Sequence, residues 1–405
     1  MLYADSHDTL TLVLAIGDGK ALQPLTARRA TAAMPFGGTY RVIDFALTNC
    51  LHSGLRRILV MTQYNGLSLQ NHIRDGWSIY NTDLGEFITP VTPPVGDSVS
   101  TYAGTADALY KNLYLLDGAS EEHVLLVSGE QIYRMDYAAL LESHKQSGAD
   151  LTLGCIPLER ANGGSFNSAL ELAGDEVLQI HRIDGTDIAT DWMPAMGVCA
   201  VRREKLVEIL EGIETESLEN TGFGEFLADN FDEFEKPRAY RFGGSSGRVS
   251  QDKYWRRLDS LADYYAANMD LLELDPPLDL YQSNWPIRTY QTQRPPARTV
   301  PGRSINEGIC VNSIVAGGTV IAGGGVNHSV LGNRVYIDDG ATVEDSILFS
   351  DVRIGDGAQL RRCICDRGVV VPAGEQIGFD QKLDLERFTL TEDGVVVVPA
   401  DFSFE

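Results

Sequence analysis

Two features of this sequence could do chemistry on phosphate. The first is a glycine-rich turn, Leu14-Ala15-Ile16-Gly17-Asp18-Gly19, which follows an apolar run and precedes a segment of helical pattern. Backbone N–H groups in such a turn can cradle phosphate oxygens, and glycines at a strand end serve equally well in a plain turn. The second is clustered arginine, as at Arg28-Arg29, in a chain where 57 Asp and Glu outnumber 33 Lys and Arg. Arginines in so acidic a chain either pair with surface acids or converge on an anionic ligand.

The net charge of -24 excludes a nucleic-acid partner, which needs a basic footprint. An apolar fraction of 43% with 22% charged residues is that of a folded globular chain. No apolar run reaches the roughly 18 residues needed to cross a membrane, so no membrane partner is expected. Met1 to Asp8 carries Asp5 and Asp8 and no basic n-region, so a secretory signal is not expected and the location read here is cytoplasmic. Cysteines 50, 155, 199, 310, 363 and 365 form no CxxC pair and no metal spacing, and are expected to be buried reduced thiols.

Short apolar runs at 12–15, 58–61, 123–127 and 151–153 alternate with helical patterns near 44–54 and over 105–116. That order predicts a mostly parallel sheet with helices on both faces, over residues 1–274. Prolines 276, 277, 286, 295 and 296 mark a linker over 275–304. From 305 to 405 apolar residues recur six apart, as in Ile314, Val320 and Val326, Ile337 and Val343, Ile354 and Leu360, and Ile364 and Val370. A six-residue period punctuated by glycine predicts a parallel β-helix, the other reading being an antiparallel domain rich in turns.

The turn continues into Pro24-Leu25-Thr26, Arg28-Arg29-Ala30 and Phe36-Gly37-Gly38-Thr39-Tyr40-Arg41-Val42-Ile43-Asp44-Phe45. Gly104-Thr105-Ala106-Asp107, Ile132-Tyr133-Arg134-Met135-Asp136, Tyr254-Trp255-Arg256, Asn284-Trp285-Pro286-Ile287-Arg288 and Arg361-Arg362-Cys363 follow. From about residue 10 to 400 this string resembles glucose-1-phosphate adenylyltransferase, also called ADP-glucose pyrophosphorylase. The resemblance implies an α/β fold, a Rossmann-like nucleotidyltransferase domain followed by a left-handed parallel β-helix. It implies transfer of an adenylyl group from ATP to glucose 1-phosphate with magnesium, in glycogen biosynthesis, by a tetramer under sugar-phosphate control. Gly17, Gly19, Gln63, Gly104, Thr105, Ala106 and Asp107 would line its nucleotide site, retained or vestigial.

Set against that family, the charges of the reaction are depleted. The loop's first glycine is Ile16 and its arginine is Ala21, while the lysine of Arg-Ala-Lys-Pro is Thr31. The first metal carboxylate is Glu130 in place of aspartate, the candidate metal ligand here, and the second is Arg257, with Asp259 two residues on. The sugar-phosphate lysine aligns with Ile183, with Arg182 the cation of a slipped register, and a further lysine reads Glu225. Each preorganised charge lost costs about 3 kcal/mol of barrier, roughly a hundredfold.

The effector residues tell the opposite story. The resemblance places Arg28, Arg29, Arg41 and Arg367 around an effector phosphate, with Pro35 replacing a histidine. The expectation is a weakly active or inactive regulatory chain that binds a sugar phosphate, with ATP a further candidate ligand, and joins a catalytic sister subunit in a hetero-tetramer. The alternatives are an active adenylyltransferase requiring magnesium, and a homotetrameric sugar-phosphate or nucleotide sensor.

Overall fold

The computed structural model describes residues 8–94, 101–157, 166–183, 189–213, 221–244 and 253–404. The N-terminal region is built on a nine-stranded sheet. Its strands run in the order Phe87–Val91, Arg57–Thr62, Thr9–Ala15, His123–Ser128, Met193–Arg202, Leu151–Cys155, Arg238–Arg241, Glu176–Arg182 and Ser168–Ala173. The first four are parallel. The sheet is therefore parallel where it carries the glycine turn and mixed beyond it, because Met193–Arg202 runs antiparallel to both neighbours.

Alternation sends the side chains of the central strands into two separate cores. Leu12, Leu59 and Leu126 are in register and enter one, and the next residues, Val13, Val60 and Val127, enter the other. Both faces are covered, which is why these strands read as continuous apolar runs. The helix predicted over 105–116 is two, Thr105–Lys111 and Leu113–Asp117. The break falls at Asn112, whose side-chain amide donates to the Ala108 carbonyl at 2.8 Å and to the Tyr102 hydroxyl at 2.8 Å.

The C-terminal region is a β-helix of three sheets, parallel except for the edge strand Thr389–Leu390, which runs antiparallel to Val396–Val398. Its first strand, Arg298–Val300, pairs with Val320–Ala322, so the coil begins inside the proline-rich stretch read as linker. Ile337, Val343, Leu348, Ile354, Leu360, Cys365, Val371 and Ile377 point inward and are fully buried. Their spacing of six, five, six, six, five, six and six makes a coil of 17 residues. Val370 was expected inside, yet it lies on the outward line of Tyr336 and Arg353 and is 60% exposed. The five buried cysteines are free thiols as expected, and Cys310 is exposed on the first coil.

The third sheet of the β-helix packs on the N-terminal region through one shared core. Val330, Ile347, Ile364 and Val397 meet Phe36, Tyr264 and Leu271 there. Gly38 permits the approach, since it is left-handed (φ +81) and a Cβ on it would lie 3.1 Å from the Leu331 carbonyl oxygen. The Tyr265 hydroxyl donates to the Asp345 carbonyl at 2.6 Å across the same junction.

Candidate functional site

Three parallel strands, Thr9–Ala15, Arg57–Thr62 and His123–Ser128, end on one edge of the sheet and open a cleft of about 620 Å³. This is the position where α/β sheets place ligands. Ile16, Gly17, Gln63, Gly104, Thr105 and Glu130 line it, so much of the expected nucleotide set converges. Gly19, Ala106 and Asp107 serve the frame instead. Gly19 accepts the Thr26 hydroxyl at its carbonyl, 2.5 Å. Ala106 is buried in the core, and Asp107 takes the Ala103 N–H at 2.7 Å and Lys111 at 2.7 Å. Gln63 is committed twice, donating to the Ile16 carbonyl and accepting the Tyr102 N–H at 2.8 Å.

The charges of the cleft neutralise one another. The Glu130 carboxylate accepts the Gly17 N–H at 3.1 Å, and a Cβ on Gly17 would sit 2.5 Å from it. The side chain thus lies on the very loop that would cradle phosphate. Burial pushes its carboxyl up to about 7, opposed by the Gly17 N–H and by Arg257. Arg257 stands on the strand Trp255–Arg257, opposite Gln131 in an antiparallel pair, which brings it beside Glu130. Its Nε meets Asp259 at 2.7 Å and its Nη1 donates to Asn167 at 2.9 Å. Asp18, at the loop, pairs with Lys20 at 2.7 Å, which holds its carboxyl below the usual range.

A magnesium ion needs carboxylates free to turn toward it in near-octahedral geometry. Here Asp18, Glu130 and Asp259 are each turned to a partner within the protein. Among the described residues no group of three or more His, Cys, Asp or Glu side chains is placed to hold a metal. As arranged, these side chains do not fit the ion.

The remaining altered positions lie outside the cleft lining. Ala21 is exposed and Thr31 buried, each in a single helical turn, Lys20–Leu22 and Thr31–Ala33. Ile183 is half-buried and its N–H donates to the Asn167 carbonyl at 2.9 Å. Arg182 is bound by Asp229. Glu225 takes the Gly222 N–H at 2.9 Å at the start of the helix Phe223–Asp229. The cleft is also lined by Phe166, Asn167 and Ser168, which no motif singled out, and by Phe223, which lies in the segment matched to the family's Asp-Phe-Gly-Lys motif. They sit on segments of little periodicity, and only the fold brings them to the mouth.

A second pocket, about 410 Å³, lies where the N-terminal region, the linker and the β-helix meet. Arg29, Arg41 and Arg367 line it, whereas Arg28 is exposed and outside. Two more arginines, Arg294 and Arg334, line it and were not expected. Arg41 donates to the Ser68 carbonyl at 3.1 Å and hydroxyl at 2.9 Å, and no carboxylate pairs with its guanidinium among the described residues. Burial and the neighbouring charges of Arg29 and Arg367 hold Arg41 below the usual arginine range, with Asp44 opposing. Arg29 pairs with Asp366 at 2.8 Å, and Arg367 and Arg334 share Asp351 at 3.1 and 2.6 Å. Desolvated cations that repel one another are what an anion site looks like before its ligand arrives.

Comparison with known proteins accords with this geometry. Residues 10–166 match the family described as "Nucleotidyl transferase". Residues 295–398 match "GlmU-like, C-terminal hexapeptide". The chain is 44% identical over 98% of its length to a protein named glucose-1-phosphate adenylyltransferase 2 from Vibrio cholerae, covering 99% of that protein. It is 46% identical to a protein of the same name from Vibrio parahaemolyticus, over 98% of this chain and 100% of the other. A glucose-1-phosphate adenylyltransferase from Rhodopirellula baltica is 38% identical over 97% of this chain and 90% of its own length. With a nucleotidyltransferase cleft, a hexapeptide β-helix and such identity along nearly all its length, the chain belongs to the glucose-1-phosphate adenylyltransferase family.

Proposed function

We propose that this chain is a regulatory member of that family, turning over slowly or not at all alone, and acting through a sugar-phosphate effector on a catalytic sister chain in glycogen biosynthesis. One observation carries the reading. The cleft has its few charges paired internally, Glu130 on Gly17 and Arg257 on Asp259, while the second pocket keeps arginine charge unneutralised. A triphosphate entering the cleft would meet Lys20 and Arg257, both already held by aspartate. A phosphate entering the second pocket would meet Arg41 with its guanidinium bound only to neutral groups. The proposed setting is cytoplasmic, in a hetero-tetramer.

The test is pyrophosphate release from ATP and glucose 1-phosphate with magnesium, by purified chain. The expected rate is at least about a hundredfold below an ordinary turnover of about 10 per second. Turnover in the ordinary range would make it the active, magnesium-dependent adenylyltransferase and end the regulatory reading. If it is inactive, mixing with a competent family member should alter that member's response to sugar phosphates. An unaltered response, with ligand binding intact, would leave a homotetrameric sensor instead.

A further inference from the structure

Among the described residues, three acids and two bases line the cleft at the sheet edge: Asp18, Glu130, Asp259, Lys20 and Arg257. Lys20 is paired with Asp18 at 2.7 Å and Arg257 with Asp259 at 2.7 Å. The charge left over is the carboxylate of Glu130, and it is negative. Its Oε1 accepts the Gly17 N–H at 3.1 Å. A Cβ on residue 17 would come within 2.9 Å of both carboxylate oxygens and of the carboxyl carbon. The whole group therefore rests against the loop backbone, and only glycine at 17 leaves it room.

A second acid treats the same loop in the same way. Asp18 accepts the backbone N–H of Lys20 at 3.0 Å. Two donors of a turn that could cradle phosphate are thus already given to carboxylates. Like a phosphate, a carboxylate is an anion that offers only acceptor oxygens. The rest of the cleft stays open. About 620 Å³ remains with Glu130 in place, within the range of small-ligand pockets. Leu14, Tyr102, Thr105 and Ser168 are among its walls and offer apolar surface and neutral hydrogen-bonding groups. A ligand whose anionic part must reach Gly17 is repelled there, and a ligand without that part is not.

Resting on the reading of this cleft as a nucleotide site that has lost turnover, we propose that the Glu130 carboxylate is a resident stand-in for a nucleotide phosphate, so that the cleft accepts an uncharged adenine nucleoside and rejects its polyphosphates. Glu130 acts on ligand choice in two ways, by its charge and by occupying the Gly17 N–H. The two are separable. Glutamine removes the charge and keeps an acceptor on Gly17, whereas alanine removes both.

The experiment uses the full chain at pH 8 without divalent metal. Labelled adenosine is equilibrated with the protein by dialysis, and unlabelled adenosine or ATP displaces it. Competition reads only the nucleoside site, so ATP held in the arginine pocket does not count. In the unaltered protein ATP should be a weaker competitor than adenosine by at least about tenfold. Glu130→Gln should narrow that gap to about threefold and Glu130→Ala should close it, with the affinity for adenosine itself staying within about twofold in both. ATP competing as well as adenosine in the unaltered protein, a gap unchanged in both variants, or no adenosine binding at all overturns the stand-in. So does weakening of adenosine and ATP in step in both variants, which is the mark of a collapsed cleft. Failure of the regulatory reading shows in a different measurement, as pyrophosphate release in the ordinary range. A missing gap without turnover overturns the role of Glu130 alone.

Discussion

Glu130 has one methylene more than the aspartate it replaces in the family pattern, and that length lets its carboxylate reach the Gly17 N–H. The contact has a thermodynamic signature. Its carboxyl is raised from 4.5 to about 7 by burial, so the folded protein holds a proton that the unfolded chain releases. Below about pH 4.5 the group is neutral in both states and costs nothing. As pH climbs from 4.5 to 7 the native state loses stability, and above 7 the full cost remains, about 3 kcal/mol at most. Glu130→Gln keeps an acceptor for Gly17 without the charge. It should therefore raise the melting temperature at pH 8 by several degrees and change it little at pH 4.5. A melting-temperature series against pH in both proteins checks this, and an equal shift at both pH values would contradict it. The second prediction restores chemistry. Ala21→Arg, Thr31→Lys, Glu130→Asp and Arg257→Asp together should increase pyrophosphate release by at least about a hundredfold, the worth of one recovered charge. The altered residue types were visible in the sequence. That Glu130 folds onto the loop was not, because the contact joins residues 113 apart in the chain, and that Arg257 turns to Asp259, two residues on, was not, because it depends on how the end of the strand orients the two side chains.

At the scale of elements, what was legible depended on periodicity. The hexapeptide period announced the β-helix because every coil must place apolar residues at the same corners. The exact faces were harder, since one step in three is five residues and a strict count of six drifts outward. Val370 is the result. Strand direction left no mark either, because Met193–Arg202 is as apolar as a parallel neighbour would be. Among the inward residues, Leu360 lies on the next-to-last strand of its sheet, flanked by Val343 and Ile377 in register and fully buried. Leu360→Ala should cost about 2–5 kcal/mol, read as a lower unfolding midpoint. Val370→Thr on the outward line should fall within about 0.5 kcal/mol of the parent. Equal effects of the two would mean that the coil is out of register.

The whole molecule ties its two regions together twice, once with apolar groups and once with charge. The apolar tie is the core shared by Val330, Ile347 and Ile364 with Phe36 and Tyr264. The charged one is the arginine pocket, where Arg41 comes from one region and Arg334 and Arg367 from the other. Arg41 is repelled by Arg29 and Arg367 across this junction, so an anion bridging them would tighten it. A ligand bound only by the joined state stabilises that state by about 2.7 kcal/mol at a hundred times its dissociation constant. Unfolding of both regions should then move to higher temperature together when glucose 1,6-bisphosphate is added. A ligand held by one region alone would shift that region's transition and leave the other in place. Arg367→Ala, which removes the central cation from the β-helix side, should abolish the joint shift, whereas Arg28→Ala, on the exposed side outside the pocket, should preserve it. Scanning calorimetry resolves the two transitions, and a joint shift that persists in Arg367→Ala would place the ligand elsewhere.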